Sequence, residues 1–110
     1  MVLSYLPQVG FVRATRPVLA ALGTPLQSAP GPNRAVKACR ETVWAEAAKL
    51  GAREIEAVSA RPEHLNGKGQ FVGRVRIRVT YERWSGKEVR EITLTCVVGR
   101  DGAFIDATKV

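Results

Sequence analysis

The spacing of apolar residues along this chain changes once, at Gly51, from a helical period to alternation. Before that point Val36, Cys39, Val43, Ala47 and Leu50 recur every three or four residues, which places them in one narrow stripe along a helix. Pro32-Asn33 supplies a stop and an N-cap, because an asparagine side chain accepts from the first free amides. Gly51 supplies the C-terminal cap, since glycine takes the left-handed conformation without strain. The pattern predicts a helix over 34–50, with Ala35, Ala38, Ala45 and Ala48 adding helix propensity off the stripe.

After Gly51 the period is two. Residues 53–60 read as a first strand, although Ile55 and Val58 have opposite parity and leave its facing open. Residues 61–69 read as a loop broken by Pro62, Asn66, Gly67 and Gly69. In the second strand Phe71, Val75, Ile77, Val79 and Tyr81 share one face, and Arg74, Arg76, Arg78, Thr80 and Glu82 share the other. A turn centred on Ser85-Gly86 leads to a third strand with Ile92, Leu94, Cys96 and Val98 on one face. That turn pairs Val79 with Ile92, Ile77 with Leu94 and Val75 with Cys96, all apolar as a core face requires. Arg100-Asp101-Gly102 turns the chain into a last strand, residues 103–109. Pairing Val98 with Ala103 there would turn Ile105 and Ala107 inward, and Phe104 and Asp106 outward. The expected fold is α+β: one N-terminal helix packed on a four-stranded antiparallel meander sheet, whose opposite face is left to solvent.

With 110 residues the chain is one domain at most, with a small core. The domain is expected over residues 33–110, preceded by a basic segment, 1–32. Residues 1–40 contain no acid, and five prolines (Pro7, Pro17, Pro25, Pro30 and Pro32) preclude a long regular helix in this stretch. Arg13 and Arg16 followed by Pro17-Val-Leu-Ala-Ala-Leu-Gly, with the small residues Ser28 and Ala29 beyond, have the order of a signal peptide. A disordered basic tail fits the same residues. No apolar run approaches the roughly 18 residues that span a bilayer, so no transmembrane segment is expected. The net charge of +7 favours acidic partners: nucleic acid, anionic envelope polymers or lipid, or an acidic protein.

Cys39 and Cys96 each fall on the core-facing side of their element, so a disulfide between helix and sheet is expected. Two buried free thiols would satisfy the same pattern. Neither cysteine has a close second ligand, so no metal site or cofactor is expected. His64, the one histidine, lies in the predicted loop with no evident catalytic partner. Asn66-Gly67-Lys68-Gly69 lacks the strand–loop–helix frame of a phosphate cradle. The ten acids are scattered among seventeen bases, and no convergent constellation points to an enzyme.

What remains is the ladder Arg74, Arg76 and Arg78 on the open sheet face, with Phe104 as its one candidate stacking residue. These four form the candidate binding face, which a solvated surface partly neutralised by Glu82, Glu91 and Asp106 would also explain.

The order from Ala35 to Val110 is a helix carrying Ala-Val-Lys-Ala-Cys, a loop, then strands ending Leu-Thr-Cys-Val-Val-Gly-Arg-Asp-Gly-Ala-Phe-Ile-Asp-Ala. This resembles small exported bacterial domains of the PepSY-like kind, whose helix precedes an antiparallel meander. The strands are longer here, the cysteine pair is foreign to that family, and no functional residue transfers. The resemblance implies a periplasmic or secreted envelope module that binds or inhibits rather than catalyses, with an envelope protein or polyanion as its partner. A basic nucleic-acid-binding protein using the arginine face is the alternative, in which case the chain would be cytoplasmic.

Overall fold

The computed structural model describes residues 12–13 and 24–110. Most of the expected leader, 1–32, therefore lies outside the described residues. One helix, α1 (Ala35–Lys49), packs on an antiparallel sheet of β2 (Ala52–Leu65), β3 (Phe71–Arg83), β4 (Gly86–Val98) and β5 (Phe104–Lys109), which follow one another as a meander. Val12–Arg13 (β1) adds a two-residue pairing to β4 at Val89 and Glu88. The expected α+β architecture is the one observed.

The helix begins at Ala35, and its first amides are met from two directions. Asn33 Oδ1 accepts from the Ala35 N–H at 3.2 Å, and Glu63 of β2 accepts from the Arg34 N–H at 2.7 Å. A carboxylate at this end also complements the helix dipole. At the other end Gly51 takes φ 94°, as its capping role requires. The buried stripe is Ala35, Cys39, Val43 and Ala47, all fully enclosed. The expected members Val36 and Leu50 depart from it: Val36 lies at its margin, and Leu50 is 37% exposed beyond the last helical turn.

On the sheet, Val75, Ile77, Val79, Tyr81, Leu94, Cys96 and Val98 face the helix, as the alternation predicts. The register of the central hairpin differs from the expected one. Its loop is Trp84-Ser85, closed by an Arg83–Gly86 pair, so Ile77 pairs with Ile92, Val75 with Leu94, and Gly73 with Cys96. A slip of two residues preserves every side chain's face, and so hydrophobic alternation does not detect it. β2 also runs on through Pro62 to Leu65, where a loop was expected, with register shifts on both sides of Arg61. Proline is tolerated there because β2 is an edge strand of the sheet. Ile55 faces the core, and Val58, opposite Arg76, faces away.

Residues 24–32 wrap the sheet as a strap. Thr24 O accepts from Arg78 Nη1 at 3.0 Å and the Leu26 N–H donates to Glu56, both on the face opposite the helix. The strap then follows the outer edge of β2, with Ala29 N–H to Ser59 O at 2.8 Å and Glu63 N–H to Pro32 O at 2.9 Å. Asn33 brings it over to the helix side, where Nδ2 donates to Ser59 Oγ, Arg61 O and Arg74 O at 2.8–3.0 Å. The face expected to be wet is thus partly covered by the chain itself. Thr80 and Val89 on that face are also buried.

Candidate functional site

The face opposite the helix is built in rows across β2, β3 and β4. The row Glu56–Arg78–Glu91 comes first, then Val58–Arg76–Thr93, then Arg61–Arg74–Thr95. The three ladder arginines therefore share a face, as predicted, but not an environment. Arg78 Nε donates to Glu91 at 2.7 Å, its Nη1 lies 3.5 Å from Glu56, and its side chain is only 11% exposed. Two acids and the Thr24 carbonyl hold this guanidinium in the structure. Arg76 is exposed, and Arg74 is half-buried. Neither makes an ion pair among the described residues. Of the acids expected to neutralise the face, Glu91 does so at Arg78, while Glu82 lies 3.6 Å from Arg53.

Phe104 does not join this face. It pairs with Val98, and a register shift between Val97 and Val98 leaves Ala107 inward opposite Cys96 and Ile105 exposed. The extra residue in β5 turns Phe104 toward the helix, where it packs against the core. There it lines a cleft of about 340 Å³ between α1 and the β4–β5 turn, with Lys37, Glu41 and Asp101 among the other walls. The arginine face is left without the aromatic that base stacking requires.

Two residues that alternation could not place do join it. Arg61 stands opposite Arg74, and His64 opposite Val72. Together with Pro62 and Thr95 they border a cavity of about 190 Å³. An unbroken alternation from the buried Ser59 would have sent Arg61 toward the helix. The bulge between them turns it outward. The glycine-rich stretch at Asn66 is a hairpin turn closed by Asn66 Oδ1, which accepts from the Lys68 and Gln70 amides at 2.9 and 3.0 Å. The Lys68, Gly69 and Gln70 amides are all occupied within the turn.

Inside the core, the Cys39 and Cys96 sulfurs lie at disulfide distance, with Cα atoms 6.4 Å apart and both residues fully buried. At the hairpin end Tyr81 is enclosed between two guanidinium groups, Arg90 at 4.6 Å and Arg83 at 4.8 Å from its ring centre. Burial raises the Tyr81 phenol above its ordinary value, against the opposing pull of Arg90 and Arg83. Arg83 also donates to the Leu50 carbonyl at 2.6 Å, tying this end of the sheet to the end of the helix.

No family model, curated protein or solved structure matches the chain. Any reading of function therefore rests on the chemistry of the chain itself. No helix among the described residues is long and apolar enough to cross a membrane.

Proposed function

We propose that this chain is an exported, non-catalytic binding or inhibitory module of the cell envelope, periplasmic or secreted. It presents the sheet face opposite the helix to an anionic partner, either an envelope protein or a polyanion. The cysteine pair carries the reading. Two sulfurs at disulfide distance within a small core fit an oxidising compartment, where such a bond persists. The signal-peptide-like order of the first residues and the PepSY-like succession of helix and meander support the same compartment. The net charge of +7 and the arginines of the open face support an anionic partner.

Intact mass of the protein from its native host tests this reading. The expected species lacks N-terminal residues and is lighter by two hydrogens than its dithiol form. A full-length chain with both thiols reduced would overturn it.

A basic nucleic-acid-binding protein is the second reading. Arg61, Arg74 and Arg76 favour it, lying on one face with no carboxylate partner among the described residues. It has less behind it, because acids hold Arg78 and Phe104 packs on the other side. A nucleic-acid complex should weaken steeply with salt, by about one counterion per neutralised phosphate. Labelled DNA and RNA that fail to bind at low salt would remove this reading.

A further inference from the structure

We propose that Arg61, His64 and Arg74 form a site for a tetrahedral oxyanion, a phosphate group foremost, in the cavity they share with Thr95. This inference deepens the binding-module reading and rests on it for its biological setting, not for its chemistry.

Three observations converge. Arg61 and Arg74 are direct cross-strand partners, and like charges placed opposite one another destabilise a sheet. An anion between them would turn that repulsion into attraction. Next, the pairing is not an accident of alternation, because Arg61 reaches this face only through the bulge after Ser59. Bulges often re-aim a side chain beside a functional site. Finally, the two guanidinium-bearing residues border a concave space of about 190 Å³, walled on its apolar side by Pro62 and Val72.

The donors suit the ligand. Each guanidinium offers a planar fork that matches two oxygens of a phosphate, and the Thr95 hydroxyl and the His64 ring add further polar contacts. The neighbouring acids are engaged or distant. Glu63 is turned to the helix N-terminus and Arg34, Glu56 and Glu91 hold Arg78, and Asp106 pairs with Val97 on the far side of β4. The cavity is thus lined by groups that attract a small anion, with no carboxylate competing inside it.

The test is titration of the full, oxidised chain with inorganic phosphate in a low-salt chloride buffer, followed by backbone amide shifts. Saturable shifts are expected at Arg61, His64, Arg74 and Thr95. Arg74→Gln should weaken binding at least about tenfold, the loss expected for a charge-assisted fork. Arg40→Gln removes the same charge from the exposed face of the helix and should change binding less than about twofold, because exposed charges are screened over such a distance. Arg61→Gln provides a second variant should Arg74→Gln disturb the sheet. Equal weakening by Arg40→Gln, or the absence of saturable shifts at these residues, would overturn the site.

Vesicles of phosphatidylglycerol, set against phosphatidylcholine, separate the sources of the phosphate. Binding that free phosphate displaces supports the site and assigns a lipid headgroup; no vesicle binding, with phosphate still saturating, supports it and assigns a soluble phosphate. An absent phosphate site with a processed, oxidised chain would sink this inference alone. A reduced, unprocessed chain that still binds phosphate would sink only the exported reading.

Discussion

Gly73 is a glycine because Asn33 lies against it: a Cβ at position 73 would stand 2.2 Å from Asn33 Oδ1 and 2.8 Å from its Cγ. The asparagine side chain occupies the place where a β3 side chain would otherwise rise. From there it ties the start of the helix to the backbones of β2 and β3. Gly73→Ala should expel it, leaving the Arg74 carbonyl without its side-chain donor and the Arg61 carbonyl with Ser59 Oγ alone. The expected cost is about 1–3 kcal/mol, and Asn33→Ala should cost a similar amount. Because both changes break the same contacts, the double variant should lose clearly less than the sum. Urea unfolding of the four proteins checks this, and strict additivity would mean that the two residues act independently.

The strap makes a prediction about where the folded unit begins. A chain starting at Gly31 lacks the bonds of Thr24 to Arg78, Leu26 to Glu56 and Ala29 to Ser59. It should melt several degrees below a chain starting at Thr24, since about 1 kcal/mol shifts the melting point of a domain this size by about 4–8 °C. Equal melting temperatures would mean that the strap adds nothing to stability. From sequence alone the domain is expected to start at residue 33, and a chain cut near there should suffer no loss.

Oxidation of the cysteine pair should matter in proportion to the loop it closes. With a sequence separation of 57, the chain-entropy relation gives about 4 kcal/mol. Reductant should therefore lower the melting temperature markedly. Cys39→Ser and Cys96→Ser should each abolish that response, and the double variant should resemble the singles. Two equivalents of reactive thiol in the unfolded but unreduced protein would show that the cysteines only fill the core.

Tyr81 sets an alkaline limit. Its pKa is raised above 10.0, first by burial, so the fold favours the neutral phenol. The stability this contributes is fully present below the unfolded value near 10 and is lost as pH rises through the higher folded value. Wild type should lose melting temperature faster than Tyr81→Phe above about pH 10. Parallel curves for the two proteins would refute the linkage.

Much of this architecture is legible in the spacing of residues, and the rest is hidden for identifiable reasons. Val75, Ile77 and Val79 announce their strand, and Cys39, Val43 and Ala47 their helix, because burial imposes one period on each. The hairpin register is hidden because a slip of two residues leaves the same faces inward. Phe104 is misplaced by alternation because a bulge separates it from the rest of β5, and Arg61, read as loop, reaches the open face through another; a bulge reverses parity without any fixed residue signature. Pro62 has the residue type of a loop breaker but sits within an edge strand. The strap escapes notice because it bonds mostly through backbone atoms, which have no sequence pattern. Of the candidate face, Arg74 and Arg76 are found in the expected place, Arg78 is tied up by acids, and Arg61 and His64 come from a stretch read as loop.

The bridge between helix and sheet also has an order in time. Cys39 leaves the ribosome, or an export channel, 57 residues ahead of its partner. Until β4 follows, the first thiol has no mate within its own chain. With two cysteines there is a single internal pairing, so oxidative scrambling inside one molecule has no wrong answer to reach. The errors open to it are bonds outside its own molecule, those between neighbouring nascent chains among them. Bonds between nascent chains should therefore increase with the rate of synthesis and decline once the last hairpin is delivered.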